Sequence, residues 1–188
     1  MVNGDKPTIA LFGGSFDPPH SGHQQIVKEA LTQLDIDTLI IMPAYLNPFK
    51  SSSMAHAAQR LKWCDTLFGN IPKVIVSDYE ISQGRSIKTA ESVRHLQKRF
   101  DIKYLIIGAD NLTTLSQWYD FDWLNKQIIW VIVTRPGYEL QTDMLRSWRL
   151  LTLNVPVSSS EIRQGEKIES VDKHIVKDVK KQLKDKPK

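Results

Sequence analysis

Two histidines three residues apart, His20 and His23, are the side chains in this sequence whose type and spacing point most directly to chemistry. They close the stretch Gly13-Gly14-Ser15-Phe16-Asp17-Pro18-Pro19-His20-Ser21-Gly22-His23. Before it lies an apolar run, Thr8 to Phe12, that reads as a buried strand; after it, Gly22 to Gln33 carries apolar residues at helical spacing, Ile26, Ala30 and Leu34. Residues three apart share a helix face. A helix N-terminus favours an anion, and an imidazole there can donate to a phosphate and follow charge that develops in a transition state. Gly13 and Gly14 are expected to take φ > 0 and let a ligand approach the backbone. Pro18 and Pro19 stiffen the turn without supplying N–H groups. Either histidine alone could cap a turn, but the pair in this setting reads as a phosphate site. The loop is neither a Walker loop nor a G-x-G-x-x-G fingerprint, because it has no Gly-Lys-Ser/Thr and no third glycine in register.

Stepping outward, four more apolar runs read as strands: Thr38–Met42, Lys73–Val76, Lys103–Ile107 and Ile128–Val133, with a sixth short one at Leu150–Val155. Helices are predicted at His56–Phe68 (apolar face Ala57, Leu61, Cys64, Leu67, Phe68), at Lys88–Arg99 (Ala90, Val93, Leu96 inward) and in a short stretch between Leu112 and Gln127. Asp78 to Arg85 reads as a connector. Ser158-Ser159-Ser160-Glu161 opens another helix, since Ser followed by a carboxylate is an N-cap signature. A last helix runs from about Ile168 to Lys184. Alternating strands and helices, with strands written as continuous apolar runs, predict an α/β fold. The expectation is a doubly wound, Rossmann-like parallel sheet of five to six strands with helices on both faces, and residues 1–188 as one domain. Ligands of such sheets bind beyond the strand carboxyl ends. Gly13-Gly14, Asn47 to Lys50, Gly108 to Asp110 and Arg135 to Gly137 each follow a strand, so they converge on one edge.

The composition excludes several classes. With 41% hydrophobic and 24% charged residues, the chain is an ordinary globular protein. Its single cysteine, Cys64, rules out an internal disulfide framework, fits a reducing compartment and reads as a half-buried structural thiol. The polar start, Met1 to Pro7, has no apolar signal region, and no run reaches membrane-spanning length, so a cytoplasmic location is expected. The net charge of +4 is local: residues 177–188 hold six lysines and two aspartates, which leaves 19 basic and 19 acidic residues elsewhere. That tail reads as a solvated helix end, not a nucleic-acid arm, and its removal is expected to leave activity intact.

Taken together, these residues resemble the HxGH-type Rossmann nucleotidyltransferases and, within them, the nicotinate-nucleotide adenylyltransferases of bacterial type. The motifs that carry the resemblance are the histidine stretch, Pro43 with Asn47-Pro48-Phe49-Lys50, Lys88-Thr89-Ala90-Glu91-Ser92, Ile107-Gly108-Ala109-Asp110 followed by Trp118, and Val157-Ser158-Ser159-Ser160-Glu161-Ile162-Arg163. The resemblance implies direct attack of a mononucleotide phosphate on the α-phosphorus of ATP, with pyrophosphate released and no covalent enzyme intermediate. It implies catalytic roles for His20, His23, Lys50 and Arg163. It implies ATP contacts from Gly13, Gly14, Ser15, Phe16, Gly108, Asp110, Ser158 and Ser159, and nicotinate-nucleotide contacts from Thr89, Trp118 and Asn47. Mg²⁺ would arrive with ATP on the pyrophosphate side, without a protein metal site. The implied partners are ATP and nicotinate mononucleotide, with no nucleic acid and no membrane.

Other roles stay open for some of these residues. Asp110 suits a helix N-cap as well as a ribose, Trp118 suits a core as well as a pyridine ring, Lys50 suits water, and Arg135 suits a fold-supporting contact. Two positions depart from the family pattern: Lys88 stands where many relatives carry Tyr, and Glu91 where they carry Asp. Both lie on the acceptor side. A nicotinamide or phosphopantetheine acceptor, a CTP donor and a non-catalytic nucleotide sensor are the competing readings.

Overall fold

The computed structural model describes residues 6–134, 139–151, 153 and 158–185. Their frame is one sheet of six parallel strands in the order β3-β2-β1-β4-β5-β6. The strands are β1 (Thr8–Gly14), β2 (Thr38–Pro43), β3 (Val74–Val76), β4 (Asp101–Gly108), β5 (Ile129–Val133) and β6 (Trp148–Leu151). Helices α1 (Ser21–Gln33), α2 (Ala57–Phe68), α3 (Tyr79–Ser82), α4 (Thr89–Leu96), α5 (Phe121–Gln127), α6 (Ser159–Arg163) and α7 (Val176–Lys184) connect and cover it.

Apolar residues alternate between the two sheet faces, as the strand period requires. Ala10, Phe12, Leu39, Ile41 and Ile106 pack with Ile26, Val27 and Ala30 of α1 and with Cys64 and Phe68 of α2. Ile9, Leu11, Ile40, Met42, Ile107 and Trp130 pack on the other face with Val93 and Leu96 of α4 and Leu124 of α5. A sheet buried on both faces explains why its strands read as unbroken apolar runs. A third cluster joins Trp63 of α2 to Ile162 of α6 and to Val171, Ile175 and Val179 near the C-terminus.

Strand order reverses between β1 and β4, so their carboxyl ends, Gly13-Gly14 and Gly108, flank the crevice where such sheets bind ligands. Several predicted elements differ in detail. The connector 78–85 contains α3. The final helix is not continuous: a 3₁₀ turn at Ile168–Ser170 precedes α7, and between them Asp172 accepts from His174 N (2.9 Å). The break lets Val171 and Ile175 both reach the third cluster. On α2 the buried residues are Arg60, Trp63, Cys64 and Phe68, a stripe rotated from the predicted one, and the Cys64 thiol is fully buried, which pushes its pKa up. Strand β6 begins two residues before the predicted run. Arg135 to Gly137 and Val155 to Val157 lie outside the described residues. Among the described residues no helix is long and apolar enough to cross a membrane.

Candidate active site

A cavity of about 640 Å³ opens at the carboxyl ends of β1, β2 and β4. Gly13, Gly14, Ser15, Phe16, His23, Asn47, Lys50, Thr89, Gly108, Asp110, Trp118, Ser158, Ser159 and Arg163 all line it, so the predicted site residues from five sequence segments meet in one place.

The loop after β1 is built differently from expectation. Gly13 and Gly14 belong to the strand, paired with Met42 and Pro43, and the left-handed residue is Phe16, with φ 46°. A bulky residue there is strained. The turn folds the Phe16 ring back over Gly14, where an added Cβ would sit 3.1 Å from Phe16 Cε2, and against the His23 ring at 4.9 Å between centroids. A side chain at position 14 would press on the Phe16 ring. At Gly13 a Cβ would meet only Met42 O at 3.9 Å, an ordinary contact.

His20 and His23 form a reciprocal cap on α1. Gly22 N donates to His20 Nδ1 (3.1 Å), and His20 N donates to His23 Nδ1 (3.1 Å). A nitrogen that accepts an amide carries no proton, so this network assigns both neutral rings the Nε2–H tautomer. The rings lie 3.8 Å apart between centroids. His23 forms part of the cavity wall, while His20 is 2% exposed and packs against His23 with the ring planes tilted by 40°.

Lys50 leaves much of its surface to solvent, yet the surrounding walls partly desolvate its ammonium. That burial, and then the Arg163 charge, hold its pKa below the usual lysine value, with Asp17 and Asp110 pulling the other way. Arg163 donates to Asp17 O (2.7 Å) and to Ser160 Oγ (2.8 Å), fastening α6 to the loop after β1. Ser159 Oγ donates to Pro18 O (2.9 Å) and adds a second tie. Ser158 and Glu161 realise the predicted N-cap as a full capping box: Ser158 N donates to Glu161 Oε2 (2.7 Å) and Glu161 N to Ser158 Oγ (3.3 Å). Lys167 and Ser158 together hold the Glu161 carboxyl down to a pKa of about 2.

After β4, Asp110 sits within a 3₁₀ turn, Ala109–Asn111, and not at a helix N-cap. A Cβ on Gly108 would collide with Asp110 Oδ1, so this glycine makes room for the carboxylate. Trp118 packs edge-on against Trp130 (6.2 Å, 72°) beside the second core cluster and also lines the cavity. Asn47 Oδ1 accepts from Phe49 N (2.9 Å), shaping the loop that carries Lys50. Thr89 opens α4, and Lys88 is exposed at the cavity rim. Glu91 accepts from Lys88 N (3.0 Å) and pairs with Arg85 (2.8 Å), so this departure from the family pattern caps α4.

Three residues were not singled out by sequence reasoning. Asp17, 2% exposed, accepts from Met54 N (2.7 Å) and Ala55 N (3.0 Å). Arg60, 1% exposed, donates to four carbonyls from three segments. Glu80 lines the cavity, accepts from Ser92 Oγ (2.6 Å), and is pushed by burial to a pKa of about 7. Arg60 gave one signal, its position three and four residues before Trp63 and Cys64 on the inward stripe of α2.

Comparison with known proteins agrees with this geometry. The family model for cytidylyltransferase-like proteins matches residues 11–165. A protein of Sulfurovum sp. (strain NBC37-1) named "Probable nicotinate-nucleotide adenylyltransferase" is 55% identical over 186 residues, covering 99% of both chains. One of the same name from Campylobacter fetus is 45% identical, covering 95% of this chain and 97% of its own. In fold, the chain is similar to Plasmodium falciparum nicotinic acid mononucleotide adenylyltransferase complexed with NaAD, with a TM-score of 0.69 at 20% identity, covering 93% of this chain and 89% of that one. With the histidine cap, Asp110 and the half-buried Trp118 meeting at the switch point of the sheet, and with relatives this close along its whole length, the chain belongs to the cytidylyltransferase-like family and, within it, to the nicotinate-nucleotide adenylyltransferases.

Proposed function

We propose that this protein transfers the adenylyl group of ATP to nicotinate mononucleotide, forming nicotinate adenine dinucleotide and pyrophosphate, a step of NAD biosynthesis. The observation that carries the reading is a single cavity that gathers two unlike sets of side chains. One set is cationic and rich in donors, with His23, Lys50 and Arg163; the other combines Asp110, Thr89 and the Trp118 ring. The first suits a triphosphate; the second suits a ribose and an electron-poor aromatic ring.

The acceptor phosphate oxygen attacks the α-phosphorus as its bond to the bridging oxygen of pyrophosphate breaks, with no nucleophile supplied by the protein. Such transfers depend on positioning and on stabilisation of developing charge. His23 Nε2–H donates toward the α-phosphate. His20 holds the helix entrance and the second ring of the pair. Lys50 and Arg163 meet the β- and γ-phosphates beside the start of α6, where the Ser159 hydroxyl ties the helix to the loop after β1 and the Ser158 hydroxyl completes the capping box. Gly13, Gly14, Ser15 and Phe16 form the floor under the nucleotide, and Gly108 lets Asp110 reach the ribose hydroxyls. Trp118 stacks on the pyridine ring, with Thr89 and Asn47 at its edge. Mg²⁺ arriving with ATP would be held by the phosphates that Lys50 and Arg163 face, and would neutralise charge on the pyrophosphate side.

A pyrophosphate-release assay tests the reading. ATP with nicotinate mononucleotide is expected to turn over faster than ATP with nicotinamide mononucleotide, and CTP is expected to fail as donor. Turnover with phosphopantetheine and none with nicotinate mononucleotide would overturn the assignment.

A further inference from the structure

Arg60 is buried in α2 behind the cavity, and its guanidinium is the point where three chain segments meet. Its Nε donates to Ala55 O (3.1 Å) in the lead-in to α2. One terminal nitrogen donates to Ser15 O (2.6 Å) in the loop after β1 and to Ala44 O (2.7 Å) in the loop after β2; the other donates to Tyr45 O (2.6 Å). Asp17 closes the arrangement. Its carboxylate takes the amides of Met54 and Ala55, and its backbone oxygen takes Arg163. Burial lowers the Arg60 pKa, and the nearby Asp17 charge opposes that shift.

Burying a guanidinium is costly unless its donors are satisfied, and a planar fork can bind carbonyls in several directions at once, whereas an ammonium donates from one point. A side chain needed only to fill α2 would be apolar. Three of the four carbonyls it grips belong instead to the two loops beside the cavity, and Lys50 follows Tyr45 by five residues on the second of these. Arg60 also acts on Lys50 by charge, helping to hold its pKa down.

We propose that Arg60 is a positioning residue for the transfer step: it fixes the loop after β2 against the loop after β1, so that Lys50 is held in register with His23 around the phosphate chain. It touches no substrate. The proposal rests on the adenylyl-transfer reading for what is positioned, and on the hydrogen bonds alone for how.

The test compares the full-length parent with Arg60→Lys and Arg60→Ala, each also carrying Lys50→Ala. Misplacement of a reacting group by about 1 Å can cost roughly 100-fold. Arg60→Lys is therefore expected to lower kcat by roughly 100-fold, with ATP affinity, measured by calorimetry, retained within about threefold, a margin on the scale of weak uniform-binding effects. Low-millimolar guanidinium is expected to restore a large part of the rate to Arg60→Ala and none to the parent. Lys50→Ala is expected to cost much less in the Arg60→Lys background than in the parent, because a displaced Lys50 has little left to lose. Amide exchange at Phe49 and Lys50, whose N–H groups bond within the loop, is expected to quicken in Arg60→Lys.

Three results would each overturn the proposal: a kcat near the parent's, a loss of kcat that only follows the folded fraction, or equal Lys50→Ala penalties in both backgrounds. Absence of turnover in the parent would instead count against the adenylyl-transfer reading. The exchange measurement would still decide the role of Arg60, with unchanged rates at Phe49 and Lys50 refuting it.

Discussion

At the scale of single residues, the site is decided by where protons and carbonyls are already committed. Both histidine Nδ1 atoms are occupied by backbone amides, so the ring edge offered to a phosphate is Nε2–H. His23 forms the wall and His20 backs it, which separates two residues that the sequence treats as a pair. A donor aimed at developing charge contributes mainly in the transition state. His23→Ala is expected to lower kcat roughly 100- to 1,000-fold, the range for loss of one preorganised donor, while ATP affinity by calorimetry changes only a few-fold. Equal losses in both would mean that His23 serves uniform binding. Gly108 and Gly14 show a second kind of commitment, since an added Cβ would collide with Asp110 Oδ1 at the first and crowd the Phe16 ring at the second.

At the scale of elements, helices present the site through their first turns, and buried polar pairs hold those turns. Glu80 of α3 and Ser92 of α4 make such a pair beneath Lys88 and Thr89. Burial, opposed by the Ser92 hydrogen bond and reinforced by the nearby Glu91 charge, raises the Glu80 pKa from 4.5 to about 7. Between those values the folded protein keeps a proton that the unfolded chain releases, so stability falls as pH rises from about 4.5 to about 7 and levels off above. The linked loss is on the order of 3 kcal/mol. Glu80→Gln removes it. Thermal melts of parent and variant at pH 5 and pH 8 are expected to show a difference that shifts in favour of the variant at the higher pH; parallel curves would count against a buried, titrating Glu80. Helix α6 depends on a local device, its capping box, and on two distant ties, Ser159 to Pro18 and Arg163 to Asp17.

At the scale of the whole molecule, the sheet order places every active segment at one edge, and the C-terminal elements brace that edge from behind. The basic tail is more than a solvated end. Its lysines on α7 are exposed, but Val179 is fully buried against the cluster that contains Trp63 and Ile162. Replacing Lys177, Lys180, Lys181 and Lys184 with Gln is expected to leave turnover unchanged. Deleting residues 177–188 strips Val179 and Leu183 from that cluster and is expected to cost on the order of 3 kcal/mol of stability, read as a fall of several degrees in Tm. An unchanged Tm in the deletion would show that α7 adds no core.

What the sequence determined by itself is what short-range spacing encodes. Strand, loop and helix around His20 and His23, the parallel character of the sheet, the Ser158–Glu161 cap and the convergence of Gly13, Asn47 and Asp110 on one edge all follow from periodicity, capping chemistry and the rule for strand carboxyl ends. The tertiary structure decided what depends on partners far along the chain. Arg60 bonds residues 15 and 16 positions away in one loop and 45 away in another, and a charge on an inward helical stripe becomes favourable only when those carbonyls converge on it. Glu80 needs Ser92 from another helix, the break before α7 needs Val171 and Ile175 to share a core, and left-handed Phe16 needs Gly14 and His23 to receive its ring. Periodicity counts neighbours along the chain; the balance between desolvation and hydrogen bonding is set by neighbours in space.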